Sequence, residues 1–119
     1  MGMIRANVTV LNTKTDKKIE VKFLVDTGAL YSIVPQVIWD ELGLRPSGKV
    51  KLQNANGQIG YYEKTTVEYY WNECFGGADI VLNPNVPEPL LGATAMEALN
   101  VYIDPSGEKL KAAAYALFM

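Results

Sequence analysis

The sequence contains no histidine and only one cysteine, Cys74, among its 119 residues. Without an imidazole, serine and cysteine triads lack their usual general base, and Cys74 has no partner that would make it a thiolate. The same absence removes the usual ligands of a zinc site, and a single cysteine cannot form an intramolecular disulfide. We therefore predict no metal, no cofactor and a reducing, cytoplasmic setting.

Long apolar runs and an excess of one charge are missing as well. The longest apolar run covers residues 112–119, whereas a membrane helix needs about 18 to 20 residues. Eleven basic and thirteen acidic residues give a net charge of -2, and no stretch concentrates lysine or arginine. We expect a soluble protein without a membrane or nucleic-acid partner, and one domain over residues 1–119, because two full cores need a longer chain.

The pattern of apolar residues predicts a mostly β fold. Apolar and polar residues alternate over 3–11 and again over 19–25, which indicates two strands joined by a polar turn. Further strands are predicted at 32–35, 50–54, 59–71, 78–82, 90–92, 101–103 and from 108 onward. Many short strands separated by turns are typical of a small barrel or sandwich.

Two short helices complete the prediction. Residues 36–42 carry apolar side chains at helical spacing, and residues 93–99 are rich in strong helix formers. Residues 72–77 are predicted to form a turn region. Residues 111–117 have two possible structures, since their alanines favour a helix, whereas their aromatic and larger apolar residues suit an edge strand.

One aspartate is unusually placed, because Asp26-Thr27-Gly28 directly follows the apolar run Phe23-Leu24-Val25. Acidic side chains are seldom fully buried without a partner, so a carboxylate at the end of an apolar strand needs a partner, a ligand or a chemical role. The simplest interpretation is a turn aspartate that accepts hydrogen bonds from nearby backbone amides. The alternative is a catalytic carboxylate, which is the main acid-base chemistry left to a chain without histidine.

Catalysis by carboxylates would require a second acidic group. A single carboxylate activates water as a general base only if another group supplies the acid. The other aspartates lack a Thr-Gly setting: Asp16, Asp40, Asp79 and Asp104. The most economical partner is therefore Asp26 of a second copy, across a twofold axis. Two carboxylates about 3 Å apart would repel by roughly 5 kcal/mol at an effective dielectric near 20, so they would share one proton and supply base and acid together.

Asp26 belongs to a series of segments that follow one another in a particular order. The series is Val25-Asp26-Thr27-Gly28-Ala29, Ile33-Val34, Glu41-Leu42-Gly43-Leu44, an Asn56-Gly57 hairpin and Leu90-Leu91-Gly92. It resembles the retropepsin-like (clan AA) aspartic proteases, especially the small prokaryotic single-domain members. The resemblance implies a closed barrel of the acid-protease type with one or two short helices, and a homodimeric aspartic endopeptidase that hydrolyses peptide or protein substrates.

The same resemblance implies roles for individual residues. Asp26 would be the catalytic carboxylate, and the residues supporting its loop would be Thr27, Gly28 and Ala29. The segment behind this loop would be Leu90, Leu91 and Gly92. The flap, a mobile lid over the substrate, would contain Asn56, Gly57, Gln58, Ile59, Gly60 and Tyr61. Tyr61 or Tyr62 is a candidate hydroxyl near the substrate, and the C-terminal segment would join an intersubunit sheet.

A second class of function fits the same residues. A dimeric module with this fold could bind peptides or partner proteins without cleaving them, because a fold does not fix a function. The Asn-Gly hairpin is similarly either a flap or an ordinary tight turn, depending on whether it projects over the Asp26 pair. Both classes require the protein to pair with itself.

Overall fold

The computed structural model describes residues 3–54, 56–106 and 108–113. Within these ranges the chain forms nine strands and two short helices. The strands are β1 (Arg5–Leu11), β2 (Lys18–Val25), β3 (Ser32–Val34), β4 (Gly48–Gln53), β5 (Ile59–Trp71), β6 (Cys74–Leu82), β7 (Leu90–Leu91), β8 (Val101–Asp104) and β9 (Lys109–Ala112). The helices are α1 (Gln36–Glu41) and α2 (Ala93–Leu99). The prediction of a mostly β chain with two short helices is confirmed.

Seven of these strands form one mixed sheet in the order β1-β2-β7-β3-β6-β5-β4. Strand β7 is inserted between β2 and β3, parallel to the first and antiparallel to the second. Strand β1 pairs with β2 along its whole length and also with β5, where Thr9 lies opposite Tyr70. Because β1 has a neighbour on both sides, the sheet curls toward itself. Strands β8 and β9 form a separate antiparallel pair.

The core lies inside the curl of the sheet. Alternate residues of β1, β2 and β5 face inward, as the period of a strand requires. They are Val8, Val10, Val21, Phe23, Val67 and Tyr69, and each is at most 4% exposed. Helix α1 adds Trp39, and helix α2 adds Met96 and Leu99. No helix in the described ranges is long and apolar enough to cross a membrane.

The turn region predicted at 72–77 is wrong for all but its first two residues. Strand β6 already begins at Cys74, which pairs with Trp71, so a two-residue turn connects β5 to β6. Asn72 opens this turn with a φ of 54°. Asparagine tolerates this left-handed conformation better than most residues, so it can replace glycine here.

Gly76 lies within β6 and not in a turn, because helix α2 packs against it. A Cβ atom on Gly76 would lie only 2.3 Å from the carbonyl oxygen of Ala98. A glycine in a strand often marks such a close approach of another backbone. This contact joins residues far apart in the chain, so local sequence could not distinguish it from a turn signal.

The C-terminal segment forms a strand where the structure describes it. Lys111 and Ala112 belong to β9, in which Lys111 lies opposite Tyr102 of β8. The helical alternative is therefore wrong for these two residues, because their backbone groups pair with β8. Leu110 anchors the strand, since it is only 6% exposed. Ala113 follows the strand and donates a 2.9 Å hydrogen bond to the carbonyl oxygen of Asn100, whereas residues 114–117 of the predicted segment lie outside the described residues.

Candidate active site

Asp26 is the first residue after β2. Its amide donates a 3.0 Å hydrogen bond to the carbonyl oxygen of Leu91, which ties the start of the loop to β7. Its carboxylate oxygen Oδ1 accepts a 3.0 Å hydrogen bond from the amide of Gly28, as in the turn predicted from the sequence. No described residue donates a hydrogen bond to Oδ2. The local turn therefore orients the carboxylate and leaves one oxygen for another molecule.

Leu90 and Leu91 lie directly beside the strand that carries Asp26. Strand β7 pairs in parallel with the end of β2, where Leu91 lies opposite Val25. On its other side, Leu90 pairs with Ile33 of β3. The loop after Asp26 therefore leaves β2 and enters β3 around a two-residue strand. Leu91 is fully buried, so this support has little freedom to shift.

The first residues of α2 hold the far side of the same loop. The amide of Ala93 donates a 2.8 Å hydrogen bond to the carbonyl oxygen of Ala29. The amide and the hydroxyl of Thr94 both donate to the carbonyl oxygen of Leu30, at 3.0 and 2.9 Å. These amides are available because the first amides of a helix have no partner within it. Thr94 was not among the predicted site residues, although a hydroxyl residue in the first helical turn was an available signal.

Gly92 joins β7 to α2 at the point where two backbone segments pass closest. A Cβ atom on Gly92 would lie 2.4 Å from the carbonyl carbon of Tyr31 and 2.8 Å from the amide nitrogen of Ser32, so only glycine fits. The amide of Gly92 donates a 3.0 Å hydrogen bond to the buried hydroxyl of Ser32. Ser32 was not among the predicted site residues, because its partner lies on a distant segment.

The tip of the Asp26 loop is accessible in the single chain. Thr27 and Gly28 are exposed, whereas Asp26 and Ala29 are half-buried. Leu30 is an apolar side chain with 58% of its surface exposed. A carboxylate, a hydroxyl and an apolar side chain are thus available together to a second molecule.

A cavity of about 330 Å³ lies next to this loop, and we call it the loop cavity. Its lining consists of Gly28, Ala29, Leu30, Tyr31, Ile33, Leu52, Gln53, Asn54, Tyr62 and Asn83. Asp26 does not line it, but Gly28 follows two residues later. None of the lining side chains is acidic or basic. The loop cavity is therefore suited to a neutral ligand that offers apolar surface and amide hydrogen bonds.

The β4–β5 hairpin that borders the loop cavity ends in a five-residue connection. The strands pair as far as Gln53 and Ile59, which leaves residues 54–58 at the tip. The side-chain oxygen of Asn54 accepts a 3.0 Å hydrogen bond from the amide of Gln58, and this bond organises the tip. The predicted hairpin is confirmed, but its connection is longer than the tight Asn-Gly turn expected, because Asn54 closes a wider loop.

One face of this hairpin lies toward the loop cavity. Leu52 and Tyr62 line the cavity, whereas Ile59 and Tyr61 are 57% and 70% exposed. The predicted flap residues 56–61 are not among those that line it. Strand alternation places Tyr61 and Tyr62 on opposite faces, but it does not tell which face is inner. The structure brings the Tyr62 side chain, and not that of Tyr61, to the cavity.

Gly60 provides the space in which the Tyr62 ring lies. A Cβ atom on Gly60 would be 2.9 Å from the hydroxyl oxygen of Tyr62 and 3.0 Å from two of its ring carbons. Neighbouring residues on one face of a strand are two positions apart, so the ring lies along β5 over Gly60. Because glycine has no side chain, the Tyr62 ring can lie in this position, where it forms part of the wall of the loop cavity.

An ion pair joins the adjacent strands near the site. Lys64 Nζ lies 2.8 Å from Asp79 Oδ2, and the Thr66 hydroxyl donates a 2.7 Å hydrogen bond to Asp79 Oδ1. Partial burial opposes ionisation of Asp79, but the hydrogen bonds from Lys64 and Thr66 outweigh it and hold the pKa of Asp79 below its usual value. The hydrogen bond to Asp79 raises the pKa of Lys64. The pair therefore stays charged across neutral pH.

Comparison with known proteins places the chain in a family. Residues 11–98 match the family described as "gag-polyprotein putative aspartyl protease". Because the match spans most of the chain, the protein belongs to this family, whose members are aspartic proteases and hence hydrolases. The comparison with curated proteins found no match.

Solved structures with a similar fold are also aspartic proteases. The EIAV protease in complex with the inhibitor HBY-793 has a TM-score of 0.61 and 18% identity over 83% of this chain and 89% of its own. A retropepsin-like aspartic protease from Rickettsia conorii has a TM-score of 0.58 and 16% identity over 85% and 77% of the two chains. The protease of Simian Foamy Virus (mac) has a TM-score of 0.54 and 15% identity over 78% and 91%. At these identities the likeness shows a retropepsin-like fold.

Proposed function

We propose that residues 1–119 form a single retropepsin-like domain that acts as a homodimeric aspartic endopeptidase. The observation that carries the proposal is the presentation of Asp26 at the end of β2, with one carboxylate oxygen oriented by Gly28 and the other without a described donor. Family membership supports the same chemistry. In the proposal, the curled sheet is a closed barrel of the acid-protease type, and Asp26 of a second copy completes the site.

The paired carboxylates would divide the acid-base work. Repulsion at short distance keeps one proton on the pair, so one Asp26 is ionised while the other is protonated. The ionised group removes a proton from water while the water oxygen attacks the peptide carbonyl carbon. The protonated group donates its proton to the carbonyl oxygen. The tetrahedral intermediate then breaks down when a proton passes to the leaving amine. Both steps use carboxylates alone and need no histidine.

Substrate binding in this proposal uses the loop cavity. An extended peptide places alternate side chains on opposite sides, so every second side chain could enter a cavity beside the catalytic loop. The neutral lining, with Leu30, Ile33 and Leu52 among its apolar members, favours uncharged side chains. The β4–β5 hairpin would act as the flap, with Tyr62 on its inner face. Thr27, exposed beside Asp26, would meet the partner subunit and hold the two loops in register.

The central experiment is the substitution Asp26→Asn, assayed on a peptide library. We expect cleavage to fall at least about a thousandfold, within the range that general acid-base catalysis contributes. Circular dichroism and sedimentation should show an unchanged fold and an unchanged dimer. The side-chain oxygen of the asparagine can still accept the hydrogen bond from the amide of Gly28. Asp40→Asn is the matched control, since Asp40 is an exposed carboxylate on α1 that accepts a hydrogen bond from the side chain of Gln36. Full activity of the Asp26 variant would contradict the proposal.

The same proteins also separate the enzyme from a dimeric module that binds peptides without cleaving them. A statine-type mimic of the tetrahedral intermediate should raise the melting temperature of the wild-type protein and not that of Asp26→Asn, because ligands that bind the folded state stabilise it. A wild-type protein that binds peptides but releases no products would favour the module. A monomer at micromolar concentration would contradict the dimer in both cases.

A further inference from the structure

A second cavity lies between the β1–β2 turn and the residues that follow α1, and we call it the basic cavity. It has a volume of about 220 Å³. Its lining consists of Asn12, Lys14, Thr15, Gly43, Leu44, Arg45, Thr65 and Thr66. It shares no lining residue with the loop cavity, and none of its lining residues is acidic. The proposed protease chemistry therefore does not explain it.

Three cationic side chains lie at the basic cavity. Lys14 and Arg45 line it directly. The Nζ atom of Lys17 lies 3.6 Å from the position that a Cβ on Gly43 would occupy, which places this ammonium beside another lining residue. None of the three cations forms a salt bridge with a residue that the structure describes. Uncompensated cations around a concave surface concentrate anions there.

Two aspartates close to the basic cavity in the fold have other partners or surroundings. Asp79 reaches the rim through its hydrogen bond with Thr66, but its charge is paired with Lys64 at 2.8 Å. Asp16 lies in the same turn as Lys14, yet it lines a separate cavity with Lys18. The lining of the basic cavity thus carries two cationic residues and no acidic one.

Thr65 contributes a neutral donor from the interior. It is only 5% exposed, and its hydroxyl makes no hydrogen bond to any described residue. Every fully enclosed polar side-chain atom in the described ranges has a partner, so the Thr65 hydroxyl must reach accessible space. The cavity that Thr65 lines provides that space. The Thr65 hydroxyl is therefore available to donate a hydrogen bond to an anion in the cavity.

The walls of the basic cavity are joined by one buried side chain. The Asn12 side-chain nitrogen donates hydrogen bonds to the carbonyl oxygens of Leu42 and Gly43 at 2.8 and 3.2 Å. The Asn12 side-chain oxygen accepts a 3.0 Å hydrogen bond from the amide of Lys14. The turn that carries the lysines is therefore fixed against the segment that carries Arg45, so the site is formed before a ligand arrives.

We propose that the basic cavity binds a phosphate-type oxyanion. A tetrahedral dianion has oxygens directed to several sides, which suits donors carried by three segments: the lysines of the β1–β2 turn, Arg45 after α1 and Thr65 on β5. A planar carboxylate would leave part of this donor set unused. The anion is either free phosphate or a phosphate group on a peptide side chain, since both present the same oxygens.

The test measures the melting temperature and calorimetric binding of the full chain with potassium phosphate, against potassium chloride at equal ionic strength. We expect a saturable rise with phosphate only. The double variant Lys14→Ala/Arg45→Ala should lose it, because each removed charge-assisted hydrogen bond weakens affinity about tenfold. Thr65→Val should weaken binding while keeping the shape of the side chain. Lys49→Ala/Lys51→Ala is the control, since it removes two exposed lysines of β4 and should bind normally.

Several results would overturn the proposal. One is an equal rise in melting temperature with chloride. Another is unchanged phosphate binding in the Lys14/Arg45 variant. A third is an equal loss of phosphate binding in the Lys49/Lys51 control, which would indicate only a general effect of charge. A short peptide containing phosphoserine, compared with its unphosphorylated form, identifies the source of the anion. Tighter binding of the phosphopeptide supports a peptide-borne phosphate, whereas binding of inorganic phosphate alone supports the free ion. Failure here would leave the Asp26→Asn result unaffected, because the two sites are separate.

Discussion

The amide of Gly92 donates a hydrogen bond of 3.0 Å to the buried hydroxyl of Ser32, although 60 residues separate them in the chain. Ser32 begins β3, where the Asp26 loop ends, and Gly92 begins the connection to α2. The bond therefore fixes the far end of the loop against the segment that supports its near end through Leu91. The position of the candidate catalytic carboxylate depends on this contact between distant parts of the sequence.

Ser32→Ala should destabilise the protein by about 1–3 kcal/mol, because it leaves the buried amide of Gly92 without an acceptor. Urea denaturation monitored by fluorescence would measure the loss. Ser47→Ala is the control, since Ser47 is exposed and, among the described residues, its hydroxyl makes one long hydrogen bond of 3.5 Å, to the carbonyl oxygen of Lys64. The control should change stability by less than about 0.5 kcal/mol. Equal stabilities of the two variants would show that the Gly92 amide finds another partner.

Two adjacent glycines of β6 should respond very differently to alanine. Gly76→Ala would place a Cβ 2.3 Å from the Ala98 carbonyl oxygen, and displacing α2 should cost about 1–3 kcal/mol or more, as in overpacked cores. Gly77→Ala would place its Cβ at 3.6 Å from the nearest atom, the carbonyl oxygen of Val67, which is an ordinary contact. It should be neutral or stabilising by up to about 1 kcal/mol. Thermal unfolding of both variants measures this contrast, and similar melting temperatures would contradict the close packing.

Local patterns were sufficient to predict most elements of this fold. Strand β5 and helix α2 have the predicted bounds, because alternation and helix propensity persist over their full lengths. Gly76 was wrongly assigned to a turn, because a glycine is needed there to make room for helix α2, which lies much later in the chain. Tyr61 and Tyr62 are equivalent in composition and spacing, and only the curl of the sheet decides which one lies toward the cavity.

The inner position of Tyr62 leads to a prediction about catalysis that rests on the proposed protease function. Tyr62→Phe should lower kcat/KM about three- to tenfold if the hydroxyl contributes one ordinary hydrogen bond to substrate. Tyr61→Phe should have no effect, because Tyr61 is 70% exposed and does not line the loop cavity. Steady-state kinetics on one peptide substrate would compare them. A larger effect from Tyr61→Phe would show that Tyr61, and not Tyr62, lies on the inner face of the hairpin.

The ion pair between Lys64 and Asp79 should give stability a pH dependence that can be assigned to one carboxylate. Because the folded pKa of Asp79 is lowered, its contribution is present above the ordinary aspartate pKa, about 3.9, and is lost as pH falls through the folded value. The raised pKa of Lys64 gives the opposite sign, so that contribution is lost only at strongly alkaline pH.

Asp79→Asn should therefore lower the free energy of unfolding at pH 7 by about 1 kcal/mol, an estimate kept small because the pair is partly solvated. The difference from wild type should shrink as pH falls below about 4 and vanish once the wild-type carboxyl is protonated and therefore uncharged, like the amide. Urea denaturation at pH 7, 4 and 2.5 measures both quantities. Glu20→Gln removes an exposed carboxylate of β2 without a salt bridge to any described residue, and its difference from wild type should stay near zero throughout. A difference for Asp79→Asn that persists unchanged into acid would contradict this assignment. The stabilisation would then come from hydrogen bonds that the amide and the protonated acid make differently. It would not come from the charge of the pair.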